Sequence, residues 1–123
     1  EHDFLVQPFM PQITEGEWSL LFFGGVFSHA LVKVPTQGDF RVQHYFGGTF
    51  ERQTPSEQLL ATAQAIVTQF APDALYARVD GIMVDQMFTL MEIELIEPQL
   101  YLSVAEESYA NYHRALLKQL SLH

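Results

Sequence analysis

The sequence predicts an α+β domain, a mainly antiparallel sheet with two helices packed on one face. Three observations point there. Strand-like segments and helix-like segments come in blocks, without strict βαβ alternation. Two-residue turn signals join neighbouring strand candidates. Two stretches keep apolar residues at helical spacing, and each opens on a capping-box pattern.

In chain order, "FLVQPFM" (Phe4 to Met10) reads as a short strand that Pro8 and Pro11 push to an edge or a linker. "EWSLLFFGGVFSHALVKVP" reads as two strands around Gly24-Gly25, where a two-residue hairpin needs positive φ. "TQGD" (Thr36 to Asp39) is a second turn, and "FRVQHYF" (Phe40 to Phe46) alternates with period two before Gly47-Gly48. Thr54, Pro55 and Glu57 fit N-cap, N1 and N3 of a helix whose inner face is Leu59, Ala63, Ile66, Val67 and Phe70. "ALYARVDGIMVD" and "FTLMEIELIEP" form a strand pair joined near Asp85-Gln86. Ser103 and Glu106 open a last helix whose inner face is Ala105, Tyr109, Tyr112, Leu116 and Leu120.

The chain has 123 residues, the size of one domain, and 48% hydrophobic residues, a globular composition. A net charge of -9 with six Lys plus Arg argues against a phosphate-neutralising nucleic-acid surface and an anionic membrane surface, and leaves room for a compact anion that comes with metal ions. The absence of Cys removes disulfides and thiolate metal sites and fits a reducing, cytoplasmic compartment. No apolar run approaches the ~18 residues of a membrane span. The chain begins at Glu1 and runs almost at once into an apolar segment, which reads as a cut inside a larger protein.

The chemistry concentrates in "LMEIELIEP" (90–98), where acids interrupt an otherwise apolar strand. Alternation puts Glu92 and Glu94 on one face, with Cα atoms roughly 6.5–7 Å apart, and sends Met91, Ile93 and Leu95 into the core. Tyr76, Arg78 and Asp80 share a face of the preceding strand by the same rule, so antiparallel pairing brings Asp80 beside the two Glu. Like charges raise one another's pKa, and a divalent cation relieves them. Hard oxygen donors without Cys or a paired His motif suit Mg²⁺ over Zn²⁺. The same alternation also suits a solvated polar face. Arg78, Arg41 and Lys33 are candidate anion ligands, with Arg favoured by its bidentate fork; the other reading of Arg78 is a partner for a nearby Glu, and that of Arg41 and Lys33 a surface strand charge. Ser28-His29 is rejected as a nucleophile–base pair because adjacent strand residues face opposite ways.

In order and in motif, "VQPFM", the "GG" hairpin, "DFRVQHYFGG", the helix after Thr54, "ARVD" and "EIELIEP" resemble the C-terminal part of an ATP-grasp ligase of the glutathione synthetase and RimK type. The resemblance covers nearly the whole chain. It implies ATP-dependent ligation of a carboxylate to an amine through an acyl phosphate, with Mg²⁺ and ATP as cofactors and two ions in the complete enzyme. By position, it implies Asp80, Glu92 and Glu94 as metal ligands and Arg41 as the residue meeting the transferred phosphate. Gln43, Gly47 and Gly48 would lie near substrate. Gln7, Pro8 and Phe9 would line the adenine, and Lys33 and Arg78 would assist with phosphate charge. Glu94 and Gln43 stand where the family has Asn, which adds a negative charge at the metal site. The nucleotide-covering lobe lies upstream in the family, so this chain alone is expected to be inactive. An exposed face where that lobe would sit favours a homodimer. Two other readings stay open on the residues alone: a non-enzymatic α+β binding domain with an acidic, cation-binding face, and a two-metal phosphatase or nuclease.

Overall fold

A computed structural model describes residues 3–35 and 49–121. Strands β1 (Glu17–Phe23), β2 (Val26–Val34), β3 (Thr49–Arg52), β4 (Tyr76–Val84) and β5 (Met87–Glu94) form one sheet in the order β3-β2-β1-β4-β5. Every neighbouring pair is antiparallel. Helices α1 (Glu57–Phe70) and α2 (Ser108–Ser121) complete the α+β fold that the sequence predicts.

The two helices take opposite faces of the sheet, whereas one shared face was expected. Leu20 and Phe22 of β1 pack with Ala30, Ala77 and Val79 beneath Leu59, Ala63 and Val67 of α1. Leu21 and Phe23 pack with Leu31 beneath Tyr112 and Ala115 of α2. The cause is legible in the central strand. "LLFF" is apolar at both parities, so each face must be covered. Leu20, Leu21 and Phe22 are fully buried, and each contributes roughly 1.5–3 kcal/mol of transfer free energy.

Both hairpins adopt turns with positive φ at both central residues. Gly24 and Gly25 have φ of 58° and 78°, and Asp85 and Gln86 have 50° and 65°. This backbone twist matches that of the flanking strands.

Element boundaries differ from expectation in three places. Residues 3–10 join no strand of the sheet and lead into a 3-10 turn at Pro11–Glu15. Pro8 and Pro11 lack the N–H a ladder needs. The N-cap of α1 is Ser56, not Thr54, and its side chain accepts from the Leu59 N–H at 3.1 Å. The last helix begins at Ser108, after a 3-10 turn at Leu102–Val104, and Ser108 Oγ donates to the Leu102 carbonyl at 2.5 Å. Tyr109 and Leu120 are exposed, so α2 covers the sheet with Tyr112 and Ala115. The strand expected over Phe40 to Phe46 lies outside the described residues, and β3 at Thr49–Arg52 forms the edge.

Candidate functional site

Beyond α2, the same sheet face turns polar. Ser19 of β1 is paired with Asp80 of β4, and Asp80 with Glu92 of β5. One step along, Arg78 is paired with Glu94. The β4–β5 register shifts between Asp80 and Gly81, where Leu90 is the next partner, so Met91 is the extra residue of a bulge. A bulge reverses the face of everything beyond it. Here it lets Phe88 pack under α1 while Glu92 and Glu94 face the other side with Asp80.

The result is a cluster. Asp80, Glu92 and Glu94 each offer a carboxylate oxygen, and these atoms lie within 4.8 Å of one another. Asp80 is buried, Glu94 half-buried and Glu92 exposed. The set is all hard oxygen, so its chemistry fits Mg²⁺, which takes one or two carboxylates and leaves room for phosphates and water.

Arg78 crosses this cluster. Its Nε donates to both Asp80 oxygens at 3.0 and 3.1 Å, and Nη2 donates to Asp80 Oδ2 at 2.9 Å. Nη2 also pairs with Glu94, and Nη1 donates to the Gln99 carbonyl at 3.1 Å. Desolvation alone would depress the guanidinium pKa, but the hydrogen bonds and charge of Asp80, with Glu94 behind them, leave it raised. Ser19 Oγ completes the shell, donating to Asp80 Oδ1 at 2.5 Å. Lys33 is buried and pairs with Glu17 at 3.2 Å. Burial pushes the Glu17 carboxyl up; Lys33 pulls it back and Asp80 adds to the rise. The Tyr101 ring lies 5.8 Å from Lys33 Nζ and 5.7 Å from Arg78 Cζ, which places an aromatic face against both cations. Tyr101 holds this position with φ 49°, a left-handed conformation uncommon outside glycine.

The structure therefore brings together Lys33, Arg78, Asp80, Glu92 and Glu94. Gln7, Pro8 and Phe9 lie in the exposed segment that precedes the first 3-10 turn. Arg41, Gln43, Gly47 and Gly48 lie outside the described residues. Sequence reasoning missed Glu17, Ser19 and Tyr101. The signal for the first two was present, since Glu17 and Ser19 are polar residues of like parity opening an otherwise apolar strand.

Ser28 and His29 are not apart, as strand alternation implies. His29 pairs with Leu21 and Phe27 with Phe22, which makes Ser28 the extra residue of a second bulge. Ser28 Oγ lies 2.8 Å from His29 Nδ1 and accepts from Asn111 Nδ2 at 3.1 Å. His29 Nε2 lies 3.0 Å from the Leu100 carbonyl, which can only accept, so Nε2 carries the proton and Nδ1 accepts from Ser28. Both residues are buried, and the network ties α2 and the Leu100–Tyr101 segment to the sheet.

The sheet and its two helices have the fold of ATP-grasp ligases. The D-cycloserine synthetase DcsG superposes with a TM-score of 0.76 at 27% identity over 93% of this chain and 41% of its own. D-alanine–D-alanine ligase from Bacillus anthracis, complexed with ATP, gives 0.62 at 17% identity over 86% of this chain and 37% of its own. The ATP-grasp ligase PsnB, complexed with a minimal precursor, gives 0.58 at 17% identity over 85% and 34%. The chain thus spans about two fifths of the length of the synthetase. No curated protein matches. The family model for the prokaryotic glutathione synthetase ATP-grasp domain matches residues 1–108, and the chain belongs to that family. Among the described residues, no helix is long and apolar enough to cross a membrane.

Proposed function

We propose that this chain is the C-terminal lobe of an ATP-dependent carboxylate–amine ligase and that its acidic sheet face holds the magnesium of Mg-ATP. The observation that carries the reading is the convergence of Asp80, Glu92 and Glu94 on one face of two paired strands. Family membership favours it over an unrelated acidic binding domain. Magnesium supplies charge neutralisation for the phosphates. Asp80 is held rigid by Ser19 and Arg78, and Glu92 and Glu94 are carried on the strand beside it. Lys33 adds positive charge on the same face, and Gln7, Pro8 and Phe9 lie along adenine.

The reaction in this reading joins a small-molecule carboxylate to an amine. Transfer of a phosphoryl group to the carboxylate gives an acyl phosphate, and the amine displaces phosphate. Arg41 stabilises the charge developing on the transferred group, and Gln43, Gly47 and Gly48 lie near substrate. Positioning and charge carry the catalysis, with no side-chain nucleophile. The lobe covering the nucleotide is supplied from elsewhere in the ligase, and this chain alone does not turn over ATP.

Glu92→Gln in the complete ligase is the cleanest test. The Glu92 side chain is exposed and, among the described residues, makes no hydrogen bond or ion pair, so the change leaves the fold unaltered. Unfolding midpoints should match and ATP turnover should be lost. Normal turnover would sink the metal assignment. Asp80→Asn is a poorer test, because it also strips the buried Arg78 of its main partner.

A further inference from the structure

The acidic face already contains a cation. Arg78 is buried, and its Nη2 joins Asp80 to Glu94, two of the three carboxylates assigned to magnesium. Both Asp80 oxygens are occupied by Arg78 donors, and Oδ1 also accepts from Ser19. Glu92 alone of the three faces solvent uncommitted. A divalent ion that draws on Glu94 and Asp80 thus meets a guanidinium holding the same oxygens. Two positive charges cannot share them cheaply in a buried setting.

We propose that Arg78 is a resident counter-cation which a divalent ion displaces from Glu94, so that Arg78 sets the metal affinity of this face. The inference rests on the metal reading above. Among the described residues, four carboxylates, Glu17, Asp80, Glu92 and Glu94, face two cations, Lys33 and Arg78. Without metal, Arg78 holds Glu94 beside Asp80 and prevents the two carboxylates from repelling each other. When the ion arrives, Arg78 releases Glu94 and remains held by Asp80, the Gln99 carbonyl and the Tyr101 ring. Those contacts keep the guanidinium in place for the return. Glu94 thereby has a purpose for its charge that a neutral amide lacks: it is the exchangeable partner, free to leave Arg78 for the metal.

The exchange is read in two ways on the protein itself. The ¹⁵Nη–H resonances of Arg78 are followed beside its Nε–H during Mg²⁺ titration, and Mn²⁺ binding is measured by the loss of its free-ion electron paramagnetic resonance signal, for wild type and Arg78→Gln. The expected result is a saturable shift and faster solvent exchange of the Arg78 Nη2–H, while Nε–H stays protected by Asp80, with Mn²⁺ bound at least about thirtyfold more tightly by Arg78→Gln, the bulk-water limit for removing one unit charge ~4 Å from a divalent ion. If Mn²⁺ binds wild type, Glu92→Gln abolishes that binding, and Arg78 Nη2–H does not respond, the counter-cation is refuted while the metal reading stands. Equal or weaker binding by a folded Arg78→Gln refutes it likewise. If neither protein binds Mn²⁺ on this face, both readings fall. Should Arg78→Gln fail to fold, the wild-type resonance decides alone.

Discussion

Gly81→Ala tests how tightly the bulge beside Asp80 is built. Gly81 has no side chain to oppose Leu90, and the space is taken from across the strand. A Cβ at this position would meet Phe88 Cζ at 2.4 Å, Phe88 Cε2 at 2.6 Å and the Thr89 carbonyl oxygen at 2.5 Å. The ring could swing away by changing rotamer, at the expense of its packing under α1. The carbonyl belongs to the β5 backbone and cannot move without parting the ladder. Overpacking of this kind costs about 1–3 kcal/mol, and relief through the ladder would pull on the pairing of Asp80 with Glu92. With a urea m-value of about 1–3 kcal/mol/M, the unfolding midpoint should fall by roughly 1 M at constant m. Phe88→Ala in the Gly81→Ala background separates the two contacts. Measured against Phe88→Ala alone, the cost of Gly81→Ala should fall only by the share due to the ring, because the clash with the Thr89 carbonyl persists. A midpoint for Gly81→Ala within about 0.5 kcal/mol of wild type, the scatter of neutral surface changes, would refute the close approach.

Two further outcomes follow from buried polar groups. Ser19→Ala removes a fully buried donor to the Asp80 carboxylate and should cost about 1.5–3 kcal/mol by denaturant unfolding, the range for hydrogen bonds to charged groups; a negligible change would mean that Arg78 alone satisfies Asp80. His29 has its pKa lowered, chiefly by burial, against opposing hydrogen bonds from the Leu100 and Tyr101 backbone. The unfolded chain therefore binds the proton first, and stability from neutral His29 is full above the ordinary value of 6.5 and lost as pH falls through the folded pKa. Glu17, raised by burial, acts in the opposite sense above 4.5, losing its contribution as pH rises. The difference between wild type and His29→Gln isolates the first slope. That difference should shrink as pH falls below about 6.5, and a pH-independent difference would place the proton elsewhere.

The α+β class, both hairpin turns and the pairing of Asp80 with the "EIE" strand were legible because each rests on local chemistry. Gly-Gly supplies positive φ, and period-two alternation fixes which side chains share a face. Helix starts were less legible. Thr54 and Ser56 are both competent caps, and the choice fell to Ser56, which puts Leu59 and Ala63 against the sheet. Ser103 likewise looks like a cap, but its neighbours Leu102 and Val104 are drawn onto Leu21 and Leu31, so the chain makes a 3-10 turn and Ser108 begins the helix. Tyr101 gave no signal at all, because its role depends on a left-handed backbone and on two cations from strands far away in sequence.

The error of facing at Ser28-His29 has a cause that recurs at Met91. Alternation assumes an unbroken ladder, and this sheet breaks it at Ser28 and at Met91. Each break lies between a residue packed under α1, Phe27 in one case and Phe88 with its strand in the other, and a polar residue turned toward the α2 side. Without the bulge at Met91, Leu90 would share the face of Glu92 and Glu94. The apolar residues that β5 needs for α1 and the acids that it needs beside Asp80 would then compete for one side of the strand. The extra residue removes that competition, and it does so at the point where Gly81 leaves room for β5 to cross closely. The same device at Ser28 brings two consecutive polar side chains to one face, where Asn111 and Leu100 satisfy them. Alternation alone gives β4 a core face at Val79 and a site face at Asp80, whereas β2 and β5, whose residues under α1 and polar residues on the other side share a parity, need a slip between the two.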